Sequence, residues 1–224
     1  MTIIECEGVR KIYHQGSQEI IALDGVSLTI EEGEFLALAG PSGSGKTTLL
    51  NIFGGLDHAD EGRVALNGTV LNGMSSSQLA DLRLHKVGFV FQAFNLIPVL
   101  SALENVEFVM LLQGVPPSER LERARAILDE VGLEGMHGRR PAELSGGQQQ
   151  RVAVARAIVG NPSIVLADEP TANLDSKTGA RLLEIMREMN QRRKATFIFS
   201  THDRMVMEYA SRLVRMQDGR ITHE

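Results

Sequence analysis

An α/β fold with a mostly parallel sheet, an antiparallel β subdomain and an inserted α-helical subdomain is predicted for this 224-residue chain by three observations. Short continuous apolar runs end at glycine or at carboxylates, as buried parallel strands do. Helix-like segments follow those runs and are placed to cover both faces of the sheet. Between two such α/β sections the pattern turns helical, from residue 93 to residue 160.

Residues 2–13 and 26–30 carry apolar and β-branched runs broken by glycine and charge, which predicts early antiparallel strands. Phe35-Leu36-Ala37-Leu38-Ala39 is a continuous apolar run ending at glycine, and a helix is predicted from Lys46 to Phe53. Asn67-Gly68 and Asn72-Gly73 are turn dipeptides flanking short strands, ahead of a helix from Ser75 to Arg83 and a strand from Val87 to Phe91. In the middle section Ser101 and Glu104 form a capping box. Leu121, Ala124, Leu128 and Val131 share one helical face after Pro116-Pro117, and a third helix runs from Ser145 to about Val159. The last third alternates again: strand Ile164 to Ala167, helix Ser176 to Gln191, strand Thr196 to Ser200, then a final helix and a short strand from Arg212 to Met216. The chain divides on this pattern into a core over 1–92 and 161–224 and a helical insertion over 93–160, all within one domain spanning 1–224.

Composition narrows the function classes. A formal net charge of -5 gives no broad basic field, so a duplex-coating nucleic-acid role is not expected. The single cysteine, Cys6, excludes an internal disulfide and fits a reducing, cytosolic compartment. The six histidines are scattered without helical ligand spacing, so no protein-built metal site is expected. No stretch approaches the roughly 18 apolar residues of a membrane span, and Met1 to Glu5 lacks the form of a secretory signal. Work at a membrane would need a partner that supplies the membrane part.

Gly40-Pro41-Ser42-Gly43-Ser44-Gly45-Lys46-Thr47 fits the phosphate-loop pattern directly after a strand and at the start of a helix. Glycines let backbone N–H groups turn toward phosphates, the helix N-terminus adds a favourable dipole, and Lys46 supplies a point charge. Thr47 is placed to put its hydroxyl on magnesium. Ile164 to Ala167 delivers Asp168 and Glu169 at a strand's C-terminal end. There Asp168 can hold the magnesium shell and Glu169 can poise a water against the γ-phosphate.

Leu144-Ser145-Gly146-Gly147-Gln148 reads in two ways. Ser145 and Gln148 are spaced as a capping box. Gly146 and Gly147 lie in the first helical turn, where each costs up to about 1 kcal/mol relative to Ala, and a cap does not require them. They make sense where a helix N-terminus must approach a phosphate closely.

That segment, continuing Gln149-Gln150-Arg151, resembles the signature of the ABC ATPases, which ordinary phosphate-loop kinases and GTPases lack. The resemblance implies the ABC ATPase fold on a phosphate-loop core. It also implies a head-to-tail dimer in which Ser145, Gly146, Gly147 and Gln148 of one copy face the phosphate loop of the other across ATP, with magnesium. Further positions match in order. Tyr13 stands where an aromatic residue stacks on adenine, although a Tyr after a strand is also an ordinary edge residue. Gln92 matches the glutamine that reaches magnesium and the attacking water. Asp175, after Leu174, matches the loop crossing the dimer interface and can also cap the helix that follows it. His202 matches the histidine that contacts the γ-phosphate. The implied nucleotide contacts are Tyr13, Gly40, Ser42, Gly43, Ser44, Gly45, Lys46, Thr47, Thr48, Gln92 and Asp175, with Glu169, His202, Lys46 and Gln92 serving turnover.

Phe89 to Pro98, Leu103 to Val106, Ala167 to Thr171 and Asn173 to Gly179 look like the lipoprotein-release and macrolide-export branch. Cell-division and amino-acid-import ATPases are similar around Gln92. The resemblance implies integral membrane permease subunits as partners, a peripheral place at the cytoplasmic face of the cell membrane, and no nucleic acid. A soluble DNA-associated ABC ATPase is the remaining alternative, and the short insertion without sustained heptads argues against it. Ala172 departs from the glycine usual in that branch, so the local turn is expected to differ slightly.

Overall fold

The chain opens as a long hairpin because β-branched and apolar residues recur on one face of two consecutive segments, Thr2–Gln15 (β1) and Gln18–Glu31 (β2). The computed structural model describes residues 1–16 and 18–223. Both strands are longer than the apolar runs alone indicate. β2 starts at Gln18 and runs through four exposed residues before its alternating buried face begins, so its first half carries no period to read. These two strands join Glu61–Leu66 (β4) and Thr69–Val70 (β5) in a four-stranded antiparallel sheet of order β2-β1-β4-β5. Asn67 and Gly68, both at positive φ, make the two-residue turn between β4 and β5.

Phe35–Ala39 (β3) is buried along its whole length and lies inside a second sheet. The second sheet contains Val87–Val90 (β6), Ile164–Asp168 (β7), Thr196–Thr201 (β8), Arg212–Gln217 (β9) and Arg220–His223 (β10) in the order β10-β9-β3-β8-β7-β6. All pairings are parallel except β9 with β10. β6 ends one residue earlier than the apolar run, at Val90, and β10 has no apolar run to betray it. The signal for β10 lay in its turn, Asp218-Gly219, both at positive φ, where Gln217 pairs with Arg220.

Alternation along β3 sorts the core. Phe35 and Ala37 enter one apolar cluster, and Leu36 and Leu38 enter the other. The second cluster is closed by Lys46–Phe53 (α1), Ser76–Lys86 (α2) and the antiparallel sheet. The first is closed by Ala102–Leu112 (α3), Pro117–Glu130 (α4), Gly146–Ile158 (α5), Ser176–Arg193 (α6) and Arg204–Tyr209 (α7). Ser75, Ser101 and Ser145 each cap their helix through a reciprocal capping box, with Gln78, Glu104 and Gln148 respectively. On α4, Ala124 and Leu128 are buried as the spacing predicts, while Leu121 is half-buried.

Candidate functional site

Four parallel strands place their carboxyl ends at one edge of the second sheet, so residues distant in sequence arrive together. The phosphate loop follows β3, Gln92 lies two residues past β6, Asp168 ends β7 with Glu169 next, and His202 follows β8. A cavity of about 370 Å³ is lined there by Ser42, Gly43, Ser44, Gly45, Lys46, Thr47, Thr48, Gln92, Asp168, Glu169 and His202. Ser200 and the β2 residues Ile20, Ile21 and Ala22 also line it, and none of these four carried a sequence motif.

The loop's shape is set by backbone that only glycine tolerates easily. Gly43 and Gly45 have φ of 78° and 97°, and a Cβ on Gly45 would come within 2.5 Å of the Ala22 carbonyl. Gly40 lies outside the cavity wall, and a Cβ there would collide with the Met216 carbonyl, so its role in this structure is close packing of the loop on β9. The Lys46 ammonium is buried and donates to the carbonyls of Gly40 and Pro41, both at 2.8 Å. Burial draws its pKa down, while Glu169 and Asp168 pull it back up.

Thr47 donates its hydroxyl to Asp168, 3.1 Å from Oδ1 and 3.3 Å from Oδ2. With Gln92 on the same wall, a hydroxyl, a carboxylate and an amide face the cavity, an oxygen donor set suited to a hard cation such as magnesium. No group of three His, Cys, Asp or Glu among the described residues could hold a metal alone. The donor set therefore fits an ion shared with the phosphates of a ligand.

Glu169 has φ of 45°, uncommon for a residue with a side chain. Its N–H donates to the Ser200 carbonyl at 2.9 Å, and its carboxylate accepts from Thr201 Oγ1 at 3.2 Å and from the His202 N–H at 3.1 Å. His202 Nδ1 lies 2.6 Å from Glu169 Oε1, a contact in which the carboxylate accepts and Nδ1 carries the hydrogen. The carboxylate is thus held by the segment that also presents an exposed histidine ring. Ala172 is not at positive φ; its N–H donates to the carbonyl of Glu169, the residue of this turn that is.

Tyr13 is not on the cavity wall. Its hydroxyl donates to Asp57 Oδ2 at 2.6 Å, and Lys11 Nζ lies 5.2 Å from its ring centroid. Burial and the Asp57 contact raise its pKa. Ile20, directly across the hairpin from Tyr13, reaches the cavity instead.

Ser145, Gly146, Gly147, Gln148 and Asp175 are also absent from that wall and form a second constellation. Ser145 is exposed, and its hydroxyl accepts from the Gln148 N–H at 3.3 Å. Asp175 caps α6, accepting from the N–H groups of Lys177 and Thr178 at 3.1 and 3.0 Å and from the Thr178 hydroxyl at 2.6 Å. The Thr178 hydroxyl and these N–H groups hold its carboxyl below the ordinary range.

The two glycines separate here. A Cβ on Gly147 would run into the Thr178 methyl, so packing inside one chain already demands that glycine. A Cβ on Gly146 would meet nothing nearer than the Phe94 ring at 3.7 Å, so packing leaves Gly146 unexplained. Gly147→Ala is expected to cost about 1–3 kcal/mol, because Thr178 is fixed by Asp175 and cannot turn away. Gly146→Ala should leave the denaturant midpoint unchanged or raised, since Ala gains up to about 1 kcal/mol in a helix. Equal destabilisation in both variants would contradict this division.

A phosphate loop, adjacent carboxylates at the end of one parallel strand and a histidine at the end of another define a phosphate-loop nucleoside-triphosphate hydrolase. The chain belongs to the ABC transporter family, whose model matches residues 23–172, and it is an ATPase subunit of that family. It is 48% identical over 219 residues to an uncharacterized ABC transporter ATP-binding protein of Thermotoga maritima, covering 98% of this chain and 93% of that one. It is 44% identical over 226 residues to the ABC transporter ATP-binding protein MJ0796 of Methanocaldococcus jannaschii, covering 99% and 96%. A macrolide export ATP-binding/permease protein, MacB of Mannheimia succiniciproducens, is 44% identical over 221 residues, 99% of this chain but 34% of that longer protein. Among solved structures, the dimeric post-hydrolysis state of MJ0796 bound to ADP and Pi superposes with a TM-score of 0.91 at 43% identity, covering 99% of this chain and 97% of that one.

Proposed function

We propose that this chain is the ATP-hydrolysing subunit of a membrane exporter, acting as a head-to-tail pair that closes on two ATP molecules and drives integral membrane permease subunits. The observation that carries the pairing is the separation of two half-sites within one chain. The cavity holds every phosphate-side residue except Gly40, while the exposed Ser145 and the sterically unexplained Gly146 lie outside it. The dimeric state of the MJ0796 cassette supports the same reading, as does the permease carried in one chain by the macrolide export relative.

In this reading Gly43, Gly45, Lys46, Thr47 and Thr48 cradle the phosphates, with Ser42 and Ser44 shaping the loop. Lys46 leaves the Gly40 and Pro41 carbonyls for phosphate oxygens. Thr47, Gln92 and Asp168 would hold magnesium, which when bound would neutralise charge on the phosphates. Glu169 takes the proton of the attacking water, and His202 stabilises charge on the departing group. Ser145, Gly146, Gly147 and Gln148 of the second copy close the site, with Asp175 at the junction. Tyr13 stacks on the base once its ring swings toward Ile20 and Ile21. No helix among the described residues is long and apolar enough to cross a membrane. In this reading the permease holds the chain peripherally at the cytoplasmic face. Likeness to the macrolide exporter favours export of lipoproteins, macrolides, drugs or peptides over import or cell division.

Light scattering on Glu169→Gln tests the pairing. Doubling of mass with ATP and not with ADP is expected, and loss of that doubling in Glu169→Gln/Ser145→Arg with ATP binding retained. A double variant that still dimerises would overturn the assigned role of Ser145. The membrane protein that co-purifies with the trapped pair identifies the transport system.

A further inference from the structure

Gln150 is 0% exposed, yet it carries an uncharged amide into the core between α5 and the strand ends. Its Nε2 donates to the Pro170 carbonyl at 2.7 Å and to the Phe91 carbonyl at 3.4 Å, which accounts for both amide hydrogens. Pro170 directly follows Glu169, and Phe91 directly precedes Gln92. One side chain on α5 therefore ties down the peptide groups next to both residues assigned to the attacking water.

The amide's Oε1 is buried without a hydrogen-bond partner among the described residues. Such groups are rare because an unpaired buried carbonyl oxygen loses its hydration for nothing in return. A packing role alone would be served by Met or Leu of similar volume without that cost. Retention of the amide fits a demand for its two donors. A second tie runs in the same direction: Asn173 Nδ2 donates to the Gln92 carbonyl at 2.8 Å, linking the glutamine segment to the loop after Glu169.

We propose that Gln150 is a positioning residue for hydrolysis, holding Gln92 and Glu169 in register with helix α5 and passing any movement of that helix to both. The proposal rests on the assignment of Ser145–Gln148, five to two residues earlier on the same helix and its cap, to the second copy's nucleotide. Engagement of that nucleotide would shift α5, and the amide would carry the shift to the water-handling side chains of α5's own chain. A misplacement of reacting groups by about 1 Å can cost on the order of 100-fold in rate without touching affinity.

Gln150→Met keeps the side chain's length and removes both donors. The expected result is a fall in kcat of about tenfold or more, with the KM for ATP and the equilibrium ATP affinity within about twofold. Gln150→Glu, which sets a carboxylate against the two carbonyls, should lower kcat at least as far at neutral pH and recover part of it as the pH falls and the carboxyl regains a donor. A merely structural role would give that recovery only in step with a recovery of the folded fraction in the melting curve at each pH. Full kcat in Gln150→Met, or a loss matched by the fraction of unfolded protein in its melting curve, would overturn the proposal. ATP-dependent dimerisation in the Glu169→Gln background separates the two ideas. If Glu169→Gln alone fails to pair with ATP, the shared-site reading fails; if it pairs and Gln150→Met turns over normally, only the role of Gln150 fails.

Discussion

Glu169→Gln is expected to lower kcat by about 10²- to 10⁴-fold, the range for removing a general base, while ATP still binds. The amide keeps the size of the carboxylate: its oxygen can still accept from the His202 N–H, and its NH2 can donate to the Thr201 hydroxyl, so the turn at φ of 45° should persist. What it loses is the ability to take a proton from water. Single-turnover measurement with pre-bound ATP isolates this step, and a wild-type rate would remove Glu169 from the role of base. In the present structure Glu169 Oε1 is engaged by His202 Nδ1 at 2.6 Å. The carboxylate is therefore not idle before reaction. A ring that turns toward a γ-phosphate would free it for water at the moment the phosphate arrives.

Lys46→Ala should raise the ATP dissociation constant by about 10- to 100-fold, since a charge-assisted hydrogen bond contributes about 1.5–3 kcal/mol and every 1.4 kcal/mol is tenfold. The same variant leaves the Gly40 and Pro41 carbonyls without their donor, so a modest loss of stability accompanies it. Equilibrium titration well below the melting transition separates the two effects. Unaltered affinity would contradict the phosphate role. Lys46→Arg should not restore binding, because a planar guanidinium does not fit a pocket shaped for a compact ammonium between two carbonyls.

Much of the fold was legible before any coordinates because its signals are local. The strand-loop-helix from Phe35 to Phe53 is read from an apolar run, a glycine pattern and the helix that follows, all within 19 residues of contiguous chain. The capping boxes at Ser101 and Ser145 are three-residue spacings and appear as read. The first half of β2 and the strand β10 were not legible, since exposed edge segments carry no alternation. At the site, the phosphate loop, Asp168, Glu169, Gln92 and His202 were singled out residue by residue, and apart from Gly40 and Pro41 they line one cavity. Ile20, Ile21, Ala22 and Ser200 were missed because nothing in their types distinguishes a cavity wall from an ordinary strand.

Sequence by itself determined where backbone conformation is constrained and which chemistry each segment can offer, because φ limits, caps and motif spacings act over a few residues. Only the tertiary structure decided which segments meet. The Thr47 hydroxyl reaches Asp168 across 121 residues because crossovers place β3 and β7 on either side of β8 with their ends aligned. The same packing turned the Tyr13 hydroxyl to Asp57, made Gly147 a consequence of Thr178, and set the Gln150 amide between Phe91 and Pro170. Each of those outcomes depends on strand order and side-chain volume across the core, which no local pattern encodes.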